Sequence, residues 1–509
     1  MPERFENRMN QSDTTLWRIE RDPELRTTIL GIAMLGGVPD WDRLRGRIDD
    51  ATRLIPRMRQ KVAAPPFGLG SPRWVTDDRF DLDYHLRRVV APAPGDMATL
   101  IAIAEPIIMA AFDRDRPLWE MTLVEGLADG RSALLQKIHH CVTDGVGAMK
   151  MARLVFDEHH ATMPQEPAAA NGSDSDRVTG LRAVLDGMSD QARQMAGVAG
   201  RAAAALPDAA MTLFLRPEQA ALDGMRTGRS IVKLVTPARE PMSPIMRNRG
   251  LSRRLAVFQL QLDELKAAGK VAGGTVNDAF LAALTGGMRR YHAHHDATVS
   301  SLRVTMPINL RRADDAIGNN RFVPARFALP VDQADPILRM KQLGELARQW
   351  RREPSLKYTD VVAGVLNGLP EPLTAAALGS MLKAIDFVAT NVPGLDEPAN
   401  LVGVPVELEI ALAPTSGSAF SAALLSHGSV CSLGLMVDTA AIPDPDVFAA
   451  CMRDGFEEVL DVARSTPAKA TRRPKRAAGA ARSSAPTANG VTAVPTFVPT
   501  ITKAAQWIA

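Results

Sequence analysis

The chain has 509 residues, of which 46 % are hydrophobic and 23 % are charged, a balance that is typical of a folded globular protein and excludes a disordered or fibrous one. This length is too great for one hydrophobic core, so we expect two domains. The three cysteines, Cys141, Cys431 and Cys451, show no metal-binding or redox spacing, which favours a reducing cytoplasm. Because no long uncharged apolar run is present, we expect neither secretion nor a membrane span.

Apolar periodicity predicts alternating helices and strands in the N-terminal half of the chain, residues 1–163. Residues 121–125 and 133–140 are predicted strands, and Asp129-Gly130 between them is a strong local signal for a tight hairpin. The other predicted elements of this half are a strand at 27–36 and helices at 14–20, 40–54 and 96–112.

Two adjacent histidines, His139 and His140, stand at the end of the second hairpin strand. Neighbouring side chains of a strand point to opposite faces, so one histidine must face the interior and the other a cleft. An imidazole exchanges protons near neutral pH, and we assign the role of general base to His140. Asp144 suits the start of the helix that follows, or alternatively fixes the imidazole, and Gly145 permits a tight turn or a close backbone approach.

The same residues raise the question of a metal site. A histidine with an aspartate offers suitable ligands, but a third ligand is needed and the adjacent pair has poor geometry for it. We therefore expect no metal. Three more histidines, at positions 292, 294 and 295, end a predicted helix, where the dipole favours a cation and a solvated terminus is expected. Cys141 follows His140 directly, so strand alternation points its thiol away from the imidazole.

Composition changes in residues 164–245, which are rich in alanine, glycine, serine and proline. This pattern predicts a crossover linker with an alanine-rich helix at 184–206. The short apolar patch at 211–215 leaves two interpretations open, packing on the protein surface or contact with a membrane or lipid droplet.

The C-terminal half, residues 246–465, again alternates strands and helices. Thr275 is a good N-cap for a long helix that reaches Tyr291, so Asn277 and Asp278 fall in its first turn as capping residues. The remaining predicted elements are strands at 253–260, 301–307, 326–331, 420–426 and 430–437 and helices at 262–270, 336–352, 361–383 and 444–462.

A basic tail, residues 466–509, ends the chain with seven basic and no acidic residues. Removing these seven from the 60 basic residues leaves 53 against 57 acidic ones, a formal charge of about −4 for the rest of the chain. Such a composition is disordered by itself. Its positive charge and scattered apolar residues favour contact with anionic lipid over nucleic acid, for which no aromatic platform is present.

Several strings in the chain resemble one known family. The sequence from His139 to Gly145 matches the HHxxxDG signature of the coenzyme A dependent acyltransferase superfamily. Further strings resemble, in order and spacing, its wax ester synthase/diacylglycerol acyltransferase branch of bacterial O-acyltransferases. They are Pro117-Leu118-Trp119-Glu120, Thr275-Val276-Asn277-Asp278, Met306-Pro307-Ile308-Asn309-Leu310-Arg311, Gly318-Asn319 and Thr390-Asn391-Val392-Pro393-Gly394.

The resemblance implies an α/β fold of two chloramphenicol-acetyltransferase-like domains with an active-site channel between them. It places Asn277 near the catalytic histidine, where it orients or polarises the acyl group, so capping and substrate binding both remain open for this pair of residues. Arg311 lies by the channel or pairs with Asp144. Trp119 is expected in a wall of the core or cleft, and His85 at a sheet edge. The candidate substrate-contacting residues are Asn277, Asp278, Trp119, Asn309 and Arg311.

The function implied by the resemblance is acyl transfer from acyl-CoA to a diacylglycerol, which makes triacylglycerol, or to a long-chain alcohol, which makes a wax ester. Acyl-CoA is a co-substrate, and no cofactor is implied. Two alternatives remain: a condensation-type acyltransferase with another acceptor, and a catalytically silent lipid-coat protein. We expect a cytoplasmic protein with peripheral contacts at the inner membrane or lipid droplets.

Overall fold

The computed structural model describes residues 7–65, 71–156, 240–309, 322–351, 367, 371–395 and 398–465. All of them belong to one compact unit, Met1–Thr466. Most of the predicted linker, the string around Arg311 and the basic tail lie outside the described residues.

The strands of the described residues form two six-stranded sheets and a two-stranded ribbon. In chain order the strands are β1 (Thr28–Leu35), β2 (Gln60–Ala63), β3 (Arg73–Thr76), β4 (Leu86–Val90), β5 (Trp119–Glu125), β6 (Ser132–His139), β7 (Arg253–Gln261), β8 (Ser301–Asn309), β9 (Phe322–Pro330), β10 (Phe387–Val392), β11 (Asn400–Leu401), β12 (Val404–Leu412), β13 (Phe420–His427) and β14 (Val430–Asp438). The first sheet has the order β11-β12-β1-β6-β5-β4 and the second β7-β14-β13-β10-β8-β9, while β2 and β3 form the ribbon.

Helices lie between and beside these strands. The α-helices of the described residues, numbered in chain order, are α1 (Gln11–Ile19), α2 (Trp41–Leu54), α3 (Leu82–His85), α4 (Met97–Met109), α5 (Gly145–Val155), α6 (Leu262–Val271), α7 (Val276–His294), α8 (Pro336–Arg351), α9 (Glu371–Lys383) and α10 (Pro445–Ser465). Helix α7 is buried along most of its length and is central to the core of the second half, as its apolar residues on all sides require.

Strand β1 shows why the first sheet forms. Its sequence TILGIAML is almost entirely apolar and β-prone, so both of its faces can be buried. Leu30 and Ile32 face one core cluster, which also contains Leu255 and Met436 of the second sheet. Ala33 lies on the opposite face of the strand and contacts another cluster, under α1, α2 and α5. The strand therefore joins two cores.

The two sheets do not follow the two halves of the sequence throughout. Strand β12 comes from the C-terminal half, yet it pairs antiparallel with β1 of the first sheet, with Leu30 opposite Leu412. It also contacts the second sheet, because the Ser432 hydroxyl donates a 2.6 Å hydrogen bond to the Glu409 carbonyl. This strand was not predicted from the sequence, and it fastens the two halves to each other.

One local expectation was wrong. His85 is not an edge-strand residue, because Leu82–His85 forms a helical turn whose N-cap is the Asp81 side chain. The His85 ring is fully buried, with its Nδ1 2.7 Å from the Trp119 carbonyl oxygen and its ring stacked on Trp119 at 4.6 Å. Burial lowers the pKa of His85, so this imidazole is a neutral core residue.

We predict that Gly434→Ala destabilises the protein, because a Cβ at this position in β14 would lie 2.1 Å from the Ala411 carbonyl oxygen of β12. The expected loss is about 1–3 kcal/mol, as for other overpacked cores. Thermal unfolding measures it. The matched control is Gly46→Ala in helix α2, where an added Cβ meets nothing within 4 Å and alanine stabilises a helix by about 1 kcal/mol. Equal melting temperatures for Gly434→Ala and the wild type contradict this account of the sheet contact.

Candidate active site

The histidine motif forms the turn between β6 and α5, as predicted. Strand β6 ends at His139, and α5 begins at Gly145. Asp144 is the N-cap of α5, and its Oδ1 accepts a 2.7 Å hydrogen bond from the Gly147 N–H. This bond satisfies one of the N–H groups that a helix leaves unpaired in its first turn. Asp144 therefore caps the helix, the first of the two roles that the sequence leaves open for it.

His139 faces the interior and is 1 % exposed. Its Nε2 lies 3.0 Å from Glu20 Oε2, and its Nδ1 accepts a 3.0 Å hydrogen bond from the Cys141 N–H. A nitrogen that accepts a hydrogen bond carries no proton, so the proton of this imidazole is on Nε2, beside the carboxylate. The ring is thus held by one hydrogen bond at Nδ1 and by the nearby negative charge at Nε2.

Glu20 is the residue that completes this arrangement. Its Oε1 accepts hydrogen bonds from the Thr27 N–H at 2.5 Å and the Thr27 hydroxyl at 3.0 Å. Burial alone would raise the pKa of Glu20, but the interactions with His139 and Thr27 outweigh burial and lower the pKa to about 2. The carboxylate is therefore ionised at neutral pH. No feature of the sequence marked Glu20, a single acidic residue after a short helix.

His140 has a different environment. It follows the last residue of β6 and is only partly buried. Its backbone N–H donates a 2.9 Å hydrogen bond to the Thr27 carbonyl oxygen, which holds the main chain at the start of the turn. One histidine is thus locked in the interior and its neighbour is accessible, as the alternation along a strand predicts. A partly exposed imidazole on a fixed backbone can take a proton from a bound hydroxyl.

Cys141 lies next to these histidines but is not suited to be a nucleophile. The residue is fully buried. Burial, together with the negative charges of Asp13 and Glu20, raises the pKa of the Cys141 thiol well above its usual range. Because the thiolate is the reactive form, this thiol is chemically inert.

The turn packs directly against the Asn-Val-Pro-Gly string of the C-terminal half. A Cβ on Gly145 would lie 3.0 Å from a methyl carbon of Val392, so the helix start and this string meet at a position where only glycine fits without a shift. Arg153 of α5 approaches the Gly394 carbonyl oxygen at 3.5 Å. Two motifs almost 250 residues apart in sequence are therefore neighbours in the fold.

Trp119 lies in the core of the first half. It is 1 % exposed, and its indole N–H donates a 2.7 Å hydrogen bond to the Met58 carbonyl oxygen. The Trp119 ring stacks on His85. Both the apolar ring and the polar N–H of this side chain therefore have partners within the fold. The structure thus places Trp119 in a wall of the core.

Asn277 and Asp278 lie in the first turn of α7, as predicted. The Asp278 carboxylate accepts hydrogen bonds from the Thr275 N–H at 2.8 Å and the Thr275 hydroxyl at 3.1 Å. Asp278 is 4 % exposed, so it caps and anchors the helix. Asn277 is half-buried beside it. Asn309 is the last residue of β8, opposite Phe322 of β9, and Arg311 lies outside the described residues.

A cavity of about 260 Å³ opens on the His139 side of the motif. Its lining includes the Trp17 and Phe112 rings, the Glu20 carboxylate, and the arginines Arg26 and Arg114. This volume is slightly below the roughly 300–1,000 Å³ of typical ligand pockets, so the cavity has room for one end of a ligand.

Elsewhere, three possible metal ligands come together where α7 ends and α10 begins: His294, His295 and Asp444. The His295 Nε2 lies 3.0 Å from Asp444 Oδ2, and the Tyr291 hydroxyl donates a 2.5 Å hydrogen bond to Asp444 Oδ1. Both histidines are exposed, so this is the solvated helix end that the sequence predicts. The contact between His295 and Asp444 was not predicted. Within the described part of the chain, no helix is both long and apolar enough to cross a bilayer.

We predict that Asp144→Ala lowers the free energy of unfolding by about 1 kcal/mol or more, because the N-cap of α5 is lost. Asp144→Asn keeps an oxygen in the same place and is expected to retain most of the stability, since asparagine caps as well as aspartate. Thermal unfolding of both variants measures the difference. Equal losses from the two substitutions would show that the charge of Asp144, rather than its cap, is what matters.

Comparisons with known proteins identify the family of this chain. The family model described as the wax ester synthase/diacylglycerol acyltransferase catalytic domain matches residues 9–280, and that of the WS/DGAT C-terminal domain matches residues 318–459. A Mycobacterium tuberculosis protein named as a diacylglycerol O-acyltransferase is 34 % identical over 469 residues, which are 90 % of this chain and 93 % of the relative. Another M. tuberculosis protein of that name is 28 % identical over 479 residues, covering 89 % and 95 % of the two chains.

Solved structures share the fold. The wax ester synthase/diacylglycerol acyltransferase of Marinobacter aquaeolei is 21 % identical, with a TM-score of 0.59 over 90 % of this chain and 100 % of that one. The first condensation domain of the calcium-dependent antibiotic synthetase is 14 % identical, with a TM-score of 0.59 over 90 % and 96 %. These likenesses confirm the predicted two-part α/β fold. With both family models matched in order along most of its length, this chain belongs to the wax ester synthase/diacylglycerol acyltransferase family.

Proposed function

We propose that this protein transfers an acyl group from acyl-CoA to the hydroxyl group of a diacylglycerol or a long-chain alcohol, with His140 as the general base. The observation that carries the proposal is the contrast between the two histidines. His139 is buried, with its Nδ1 hydrogen-bonded to the Cys141 N–H and its Nε2 3.0 Å from Glu20, whereas His140 is partly exposed at the end of the same strand. This contrast supports His140, rather than His139, as the imidazole that takes the proton.

The reaction proceeds in one sequence of proton and bond changes. His140 takes the proton of the acceptor hydroxyl as its oxygen attacks the thioester carbonyl carbon. The tetrahedral oxyanion then collapses, the carbon–sulfur bond breaks, and the coenzyme A thiolate takes the proton back from His140. The products are an ester and free coenzyme A. Acyl-CoA is a co-substrate here, and no step uses a metal or another cofactor.

Hydrogen-bond donors are needed where the oxyanion develops. Asn277 is our candidate, because its neighbour Asp278 is occupied by the cap of α7 while Asn277 is half-buried in the same turn. Backbone N–H groups are the alternative donors. Asn309 and Arg311 stay candidate substrate contacts, whereas Trp119 is a buried core residue of the first half.

A direct transfer without an acyl-enzyme intermediate follows from the chemistry around His140. The thiol adjacent to it, Cys141, is buried and has a raised pKa. The turn from Thr143 to Gly147 offers no exposed nucleophile, since Thr143 is fully buried. Acceptor and acyl-CoA must therefore be bound at the same time.

Two other functions share parts of this structure. A condensation-type enzyme has the same fold, but the family models and the relatives named as diacylglycerol O-acyltransferases favour a lipid hydroxyl as the acceptor. A silent lipid-coat protein needs no base, whereas the structure keeps an accessible His140 on a fastened backbone. An assay of purified protein with radiolabelled acyl-CoA and a panel of diacylglycerols, alcohols and amines separates the three, because a coat protein transfers to none of them.

We predict that His140→Ala lowers kcat about a hundredfold or more while the protein stays folded, because the base is removed from a partly exposed position. His139→Ala is expected to lower the melting temperature and to reduce kcat less, because it leaves the Glu20 carboxylate buried without its partner. Acyl transfer and thermal unfolding of both variants are the measurements. Comparable turnover of His140→Ala and the wild type contradicts the assignment.

Removal of the basic tail tests the lipid contact. Truncation after Thr466, where the compact unit ends, is expected to preserve transfer to soluble acceptors but to weaken binding to anionic vesicles. All seven tail charges are lost, and each cation near an anionic surface contributes roughly 1 kcal/mol within a Debye length. Vesicle flotation at low and high salt measures this effect, which should fade as salt is raised. Identical flotation of the two forms at low salt contradicts a role of the tail in lipid binding.

A further inference from the structure

The Glu20 side chain joins the segment directly before β1 to the end of β6, the strand that leads to the candidate base. One oxygen binds the backbone and hydroxyl of Thr27, directly before β1. The other faces Nε2 of His139, the last residue of β6. The carboxylate thus spans the place where these strands pair, with Thr28 opposite His139.

Both ends of this arrangement reach the main chain of His140. The Thr27 carbonyl oxygen accepts the His140 N–H at 2.9 Å. On the other side, His139 Nδ1 accepts the N–H of Cys141, the residue after His140, at 3.0 Å. The peptide groups before and after His140 are therefore held by two residues that Glu20 itself holds.

The second of these bonds depends on where the proton of His139 lies. Nδ1 accepts a hydrogen bond only if the imidazole proton is on Nε2. A carboxylate beside Nε2 favours that tautomer, because it is an acceptor only and attracts the N–H dipole. Glu20 thereby decides whether the bond from Cys141 can form.

We propose that Glu20 is a positioning residue for acyl transfer: it keeps the proton of His139 on Nε2 and anchors Thr27, and through these two residues it sets the position of His140. This inference rests on the proposed role of His140 as the base. Glu20 contacts no reacting atom, and its effect is on the placement of the imidazole.

Glu20→Gln tests the proposal because an amide cannot satisfy both sides. If its oxygen accepts from Thr27, its NH₂ group faces the N–H of His139, and two donors meet. His139 can then accept only by moving its proton to Nδ1, which breaks the bond from Cys141. If the amide is turned round, the NH₂ group faces the Thr27 donors instead.

We predict that Glu20→Gln lowers kcat about ten- to hundredfold, as expected for a small misplacement of a catalytic group. The KM values for acyl-CoA and acceptor are expected to change by less than about twofold, because glutamine has nearly the size and shape of glutamate and preserves the shape of the cavity that this residue lines. The matched control is Glu24→Gln, which removes a carboxylate of the same segment that pairs with Lys383 Nζ at 2.5 Å but does not touch the histidines. Its kcat should equal that of the wild type.

A spectroscopic measurement reads the tautomer directly. The ¹⁵N signals of His139, assigned by their loss in His139→Gln, should show a protonated Nε2 and an unprotonated Nδ1 in the wild type, and a shift away from this state in Glu20→Gln. A wild-type His139 protonated on Nδ1 overturns the proposal. If Glu20→Gln does not fold, His139→Gln still decides, because its amide can donate to Glu20, and its kcat should exceed that of His139→Ala. Equal kcat values for these two variants overturn the proposal.

The outcomes separate this inference from the proposed function. Equal kcat for Glu20→Gln and the wild type overturns the role of Glu20 alone. A wild-type protein that transfers no acyl group overturns the proposed function, and the catalytic role of Glu20 with it.

Discussion

The end of strand β6 falls between two adjacent histidines, and the candidate site depends on how that end is fastened. His139 is drawn inward by the Glu20 carboxylate, while the His140 backbone is held by the Thr27 carbonyl oxygen. A buried pair of this kind adds little net stability, because desolvation of its polar groups offsets most of their attraction. Removing one partner is costly, since the other remains buried. The interaction therefore specifies geometry more than it stabilises the fold.

The rest of the site is supplied by the second half of the chain. Strand β12 crosses into the first sheet, and Val392 packs against Gly145 at the start of α5. Gly434 allows β14 to approach the backbone of β12 closely. These contacts fix the two halves to each other, and the contact between Val392 and Gly145 does so at the histidine turn.

Features set by neighbouring residues were predictable from the sequence. The hairpin at Asp129-Gly130, the Asp144 N-cap and the Thr275 cap with Asp278 all depend on side chains within four residues of each other. The opposite environments of His139 and His140 follow from strand alternation. The family strings added the fold and the order of its parts only because they occur together.

Features set by distant residues were not predictable. Strand β12 has an ordinary alternating sequence, and nothing local indicates that it joins the sheet of the other half. The proposed role of Glu20 depends on its contacts with Thr27 and His139, which only the folded chain brings together. His85 was expected at a sheet edge, but its burial against Trp119 depends on tertiary packing. For the same reason, the sequence did not show that the Trp119 side chain is used entirely within the core.

Chemical rescue tests the central claim, that His140 supplies the base, most directly. The His140→Ala variant leaves a partly exposed gap beside the turn, into which imidazole from the buffer can enter. Acyl transfer by this variant should rise with imidazole concentration, whereas transfer by His139→Ala should not, because His139 takes no proton in the proposed reaction. Turnover of His140→Ala at the wild-type rate without imidazole, or rescue of His139→Ala alone, contradicts the account.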